Sequence, residues 1–201
     1  MSQTPQKGWL RAAALAALTV ATLGLPACHR PAPGPPSVAP QVSGEAVLLM
    51  LTEARAWQRR ADLHLSDGDL AAAIASVKEV LNIPFPSDAF EAEDVRLDAC
   101  ARLAKLYLAT GGAEAEEQAL AQLELGRKGS THDSFFRVHL EMVAADVYEA
   151  RAGRLTEPEA KKEAKRQAIG ALEQATQIAR RLQRALLNLP AEGTRGPVEN
   201  K

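Results

Sequence analysis

The chain has 201 residues, 46% hydrophobic and 24% charged, with a formal net charge of −1. That suits one globular domain with some additional non-globular sequence, and the charge balance leaves no electrostatic footprint for nucleic acid. Aromatic residues make up only 4%, so the core must be built mainly from Ala, Leu, Val and Ile.

In chain order, the first element is a leader. Residues 1–11 carry Lys7 and Arg11 and no acid, and an apolar run follows from Ala12 to Gly24. A spanning helix needs about 20 apolar residues, so this run is too short. A positive start with a short apolar centre reads as a secretory signal peptide over residues 1–27. Leu25 occupies the position where an ordinary signal peptidase requires a small residue. The tetrapeptide Leu25-Pro26-Ala27-Cys28 instead resembles the lipobox of bacterial lipoproteins, with Pro26 departing from the commoner Ala, Ser or Thr. The resemblance implies cleavage before Cys28 and a diacylglyceryl thioether on its sulfur. Each buried CH₂ contributes about 0.8 kcal/mol to membrane attachment, and two or more chains anchor stably. His29 stands where Asp often retains lipoproteins in the inner membrane, so the same resemblance implies the outer membrane, facing the periplasm.

Residues 29–43 hold five prolines, which fix φ and remove backbone donors. Together with Cys28 they form a tether over 28–43, extended at about 3.1 Å per residue and reaching roughly 45 Å. With Cys28 committed to lipid, Cys100 is expected to be a buried apolar filler.

Residues 44–189 show no strand alternation. Apolar residues recur three and four apart, and Gly or Pro falls between the periodic segments. The pattern predicts six helices, over 44–66, 70–82, 91–110, 114–127, 132–152 and from the Pro158 turn to 189. Ser43 is a candidate cap for the first, and Asp133 or Ser134 for the fifth. Residues 190–201 read as a polar tail expected to lack order.

The helical part also repeats. A small residue is followed three places later by a ring in Ala61 and His64, Ala104 and Tyr107, and Ala145 and Tyr148. Each pair runs on to a glycine (Gly68, Gly111, Gly153) and then to an alanine-rich helix at Ala73, Ala119 or Ala168. Over most of residues 54–182 this resembles the tetratricopeptide repeat family, best at Trp57, Ala61, Gly68 and Ala73. The rings lie 43 and 41 residues apart, longer than the family period of about 34. The expected fold is therefore all-α: about three antiparallel helical hairpins stacked as an α-solenoid and closed by a long C-terminal helix. In that last helix Ala168, Leu172, Ala175, Ala179, Leu182, Leu186 and Leu189 follow a 4,3 spacing. This row is expected to cover the end of the stack, with a dimer seam as the alternative.

Chemistry is sparse. His132 and His139 lie seven apart in the predicted fifth helix, with Asp133 nearby. Two turns separate two such rings by about 10 Å, and a metal site wants three or four converging ligands, so no metal is expected. The chain has no GxSxG, P-loop, HExxH or GxGxxG, and neither a cofactor nor enzymatic activity is expected. The Lys- and Arg-containing run 161–166 alternates with Glu and reads as a solvated helix face. The family resemblance instead implies a groove along the first helices of the hairpins. Its spacing selects Arg55, Gln58 and Asp62 in the first unit, Asp98 and Lys105 in the second, and His139, Met142, Asp146 and Glu149 in the third. The mixed charge suits a protein or peptide partner. The function expected is that of a membrane-anchored interaction module, with a self-associating structural subunit as the alternative.

Overall fold

A computed structural model describes residues 44–86 and 89–187. The expected leader, lipobox cysteine, tether, Ser43 cap and C-terminal tail fall outside the described residues. All secondary structure described is helical: α1 (Gly44–Ser66), α2 (Leu70–Asn82), α3 (Phe90–Thr110), α4 (Ala113–Lys128), α5 (Phe135–Arg154) and α6 (Pro158–Leu187).

The helices form three consecutive hairpins, α1–α2, α3–α4 and α5–α6. Successive hairpins meet through α2 on α3 and α4 on α5, and the first helices pack in order, α1 on α3 and α3 on α5. The core follows from small side chains that let helices approach closely. Ala61, Ala73, Ala99, Ala101, Ala104, Ala119 and Ala144 are fully buried, with Leu97, Leu103, Leu123 and Leu140 filling the space between them. Helix α3 touches α1, α2, α4 and α5. Cys100 lies in this core as a free thiol, and burial pushes its pKa up to about 11. It is the inert filler expected from the sequence.

Two turns are tight because their glycines adopt positive φ. Gly68 has φ 77°, and the next residue, Asp69, caps α2 by accepting from the Ala72 N–H at 2.9 Å. Gly111 and Gly112, at φ 77° and 90°, reverse the second hairpin. The third differs from expectation: Gly153 lies inside α5, which ends at Arg154, and the turn falls before Pro158. Pro158 opens α6, where its missing N–H is of no consequence.

The start of α5 also differs. The helix begins at Phe135, capped by the Ser134 hydroxyl, which accepts from the Arg137 N–H. His132 is therefore not on a helix with His139. Glu93 holds the preceding loop away from helical geometry: its carboxylate accepts from the backbone N–H groups of Thr131 (2.7 Å) and His132 (3.2 Å) and from the Thr131 hydroxyl (2.6 Å). Burial opposes ionisation of Glu93, yet these three bonds and the nearby His132 charge outweigh it and bring the pKa down to about 2. A depressed carboxylate stabilises the fold above its unfolded value of about 4.5, and this stability is lost as pH falls toward 2. Glu93→Gln should cost about 1–3 kcal/mol at pH 7. In urea titrations the gap between variant and parent should shrink markedly at pH 3.

Arginine–carboxylate forks tie the second and third hairpins. Arg127 of α4 donates Nε and Nη2 to Glu141 of α5 at 3.0 and 2.6 Å. Arg154 at the end of α5 makes the same fork with Glu116 of α4, at 2.8 and 2.7 Å. Arg181 of α6 reaches Asp133, before α5, at 2.5 and 3.0 Å. Glu116 and Glu141 are buried, so each needs its arginine.

Helix α6 closes the array along α5. The row that faces inward is Ala164, Ala168, Ala171, Ala175 and Ile178. The predicted heptad row is thereby divided between two faces. Ala168 and Ala175 are buried and Leu182 half-buried, whereas Leu172, Ala179 and Leu186 are exposed. Leu189 lies outside the described residues. Alanine takes the α5 contact because it permits the closest approach, which leaves the larger leucines on the neighbouring face.

Candidate interaction site

A groove of about 320 Å³ runs across the first helices of all three hairpins. From α1 come Leu51, Ala54, Arg55 and Gln58. From α3 come Glu91, Asp94, Val95 and Asp98, and from α5 comes Phe136. The groove exists because the first helices lie side by side: positions three and four apart on α1 and α3 point into the space between them. Leu51, Ala54, Val95 and Phe136 give it an apolar floor. Glu91, Asp94 and Asp98 face a single cation, Arg55.

A polar network borders the groove. Gln58 Nε2 donates to Asp98 Oδ2 at 3.4 Å, and Arg102 Nη1 donates to Gln58 Oε1 at 2.6 Å. The other Arg102 nitrogen, Nη2, pairs with Asp62. These bonds link α1 to α3 and hold the Gln58 and Asp98 side chains in place. Burial raises the Asp98 pKa above the ordinary value, opposed by the charges of His139 and Arg102. At the α3 end of the groove, His132 lies 3.0 Å from Glu93 through Nδ1 and 3.6 Å from Asp94 through Nε2. Phe90 meets the His132 ring edge-to-face at 5.5 Å.

Of the residues selected by spacing, the structure brings Arg55, Gln58 and Asp98 to this groove. Asp62 joins the network through Arg102, and His139 stands close enough to influence Asp98 electrostatically. Lys105, Met142 and Asp146 are exposed on α3 and α5 and do not line it. Glu149 lies elsewhere, in a second groove where the end of α5 meets Lys161, Lys165, Ile169 and Leu172 of α6. Sequence reasoning missed Arg102, which organises the border, and Phe136, which closes the floor. Arg102 follows Asp98 by one helical turn, so the same face was implied. Phe136 became a groove residue only through the position of the α5 start.

No group of His, Cys, Asp and Glu among the described residues is arranged to hold a metal ion. No described helix is long and apolar enough to cross a membrane. Comparison with family models, curated proteins and solved structures found no match.

Proposed function

We propose that this protein is a lipoprotein of the bacterial envelope, anchored through Cys28, that binds a segment of another protein in the groove across α1, α3 and α5. The observation that carries this reading is the groove itself: an apolar floor with three carboxylates and one arginine on its walls. That lining favours a peptide segment pairing apolar side chains with lysine or arginine. The packing order of the hairpins supports the tetratricopeptide-like reading, in which first helices form the binding face. An anchor confines search to a surface, so modest affinity is enough. A role in assembling an envelope machine on the periplasmic face of the outer membrane fits such a tethered module.

Two measurements test the two parts separately. Mass spectrometry of the protein from bacterial membranes should find Cys28 as the first residue, carrying lipid; an intact leader on an unmodified sulfur would refute the anchor. A photoreactive residue at Arg55 should crosslink to one protein in intact cells. Val95→Arg, which puts a cation on the groove floor, should reduce that adduct about tenfold or more while leaving helical content unchanged. An undiminished adduct would remove the groove from the account.

The alternative of a self-associating subunit has its own support. Leu172 and Leu186, which that alternative places in a seam, face outward.

A further inference from the structure

Among the described residues, both ends of the stack expose apolar positions whose counterparts are buried or half-buried where a neighbouring hairpin exists. The small-residue register aligns Ala61, Ala104 and Ala145, shifts of 43 and 41. Under it, Ala92 and Leu106 of α3 are buried, as is Val147 of α5. Their counterparts on α1 are Leu49, matching Ala92, and Leu63, matching Leu106 and Val147; these are 67% and 52% exposed. The second helices tell the same story at the other end. Aligned on Ala73, Ala119 and Ala168, Val77 and Leu123 are fully buried while Leu172 is 43% exposed. Ile74 and Leu120 are buried and half-buried, while Ile169 is 58% exposed. Helices α2 and α4 each have a following hairpin against them; among the described helices, α6 packs on α5 alone.

Building on the self-association reading, we propose that copies of this chain stack head to tail, with α1 of one copy seated on the α5–α6 edge of the next. Charge selects this occupant. Within the chain, Arg102 of α3 reaches back to Asp62 of α1. The register maps Arg102 onto Arg59 and Asp62 onto Asp146. Both Arg59 and Asp146 are exposed, and among the described residues neither has an ion pair within the chain. The junction between copies thus repeats the α1–α3 pairing. Continuing the hairpin order sets α1 antiparallel to α6, so Glu53 of one copy lies toward Arg180 of the other.

The head-to-tail contact is heterologous, so it produces either open chains or a closed ring.

The test uses the full-length protein in its own membrane, with two differently tagged copies in one cell. One copy carries Arg59→Cys and the other Asp146→Cys. Mild oxidation should give a mixed disulfide dimer only when both are present, above the background set by the buried Cys100. Leu172→Glu in the Asp146→Cys copy should reduce that dimer about tenfold or more without loss of helical content. Charge exchange supplies an independent reading. Arg59→Asp alone should lower crosslinking between Leu63→Cys and Ile169→Cys copies, and adding Asp146→Arg to the partner copy should restore it. Absence of the mixed dimer would overturn the proposal, as would Ile169→Cys dimerising by itself, which signals an α6–α6 pair. Val95→Arg should leave the mixed dimer intact, so failure of the groove and failure of the stacking are distinguishable.

Discussion

Replacing Arg127 with Met is expected to destabilise the protein by about 3–5 kcal/mol, because it leaves the buried Glu141 carboxylate without its counter-charge. Glu141 is 4% exposed, and the two fork bonds from Arg127 Nε and Nη2 are its described hydrogen bonds. Those bonds hold the Arg127 pKa above its ordinary value against the opposing effect of burial. The pair joins α4 to α5, so its loss weakens the contact between the second and third hairpins. The double variant Arg127→Met, Glu141→Leu removes both charges and fills similar space, and it should recover most of the loss. Urea denaturation of the four members of this cycle measures the coupling. If Arg127→Met alone proved as stable as its parent, the pair would not be part of what holds the hairpins together.

The second large effect concerns Gly126, in the last turn of α4. A Cβ placed there would lie 3.0 Å from both Leu140 methyls and 3.2 Å from Cys100 Cβ. Ordinarily Gly→Ala in a helix is favourable by about 1 kcal/mol. Here overpacking costs about 1–3 kcal/mol and reverses the sign, so Gly126→Ala should be destabilising. Leu140→Ala, which removes a fully buried side chain, should cost about 2–5 kcal/mol. In that background the crowding methyls are gone and Cys100 Cβ at 3.2 Å is the close neighbour that remains, so the cost of Gly126→Ala should fall well below its value in the parent. Thermal unfolding of the four proteins gives the test, and the departure from additivity is the result that matters. Additive effects would show that α4 does not approach α3 and α5 through this glycine.

Gly126 also illustrates what periodicity conceals. A glycine inside a predicted helix signals either a weak point or a close approach, and only its neighbours decide between them. The turn glycines were easier to interpret. Gly68, Gly111 and Gly112 sit between two periodic segments, and the positive φ each adopts is the conformation a tight reversal demands. Gly153 broke that pattern because the chain had three further residues, Arg154 to Thr156, before the Glu157-Pro158 start signal, and the helix ran on past the glycine.

Local sequence determined the helices and their pairing. Three- and four-residue apolar spacing, caps at Asp69 and Ser134, and proline at the start of α6 each act within a turn or two of chain, so they are readable without knowledge of the fold. The repeated small-residue and ring pairs went further: they set which helices form hairpins, because small residues permit close approach wherever they recur. Tertiary structure decided the rest. The grip of Glu93 on Thr131 and His132 spans 38 and 39 residues and moved the start of α5. That start put Phe136 into the groove and removed His132 from the helix face. Arg102 became the centre of the border only once α1 lay beside α3. The leucine row of α6 was divided because α5 accepted its alanines and left its leucines outward. In each case the deciding contact joins residues far apart in the chain, and its strength depends on burial and distance that no local pattern encodes.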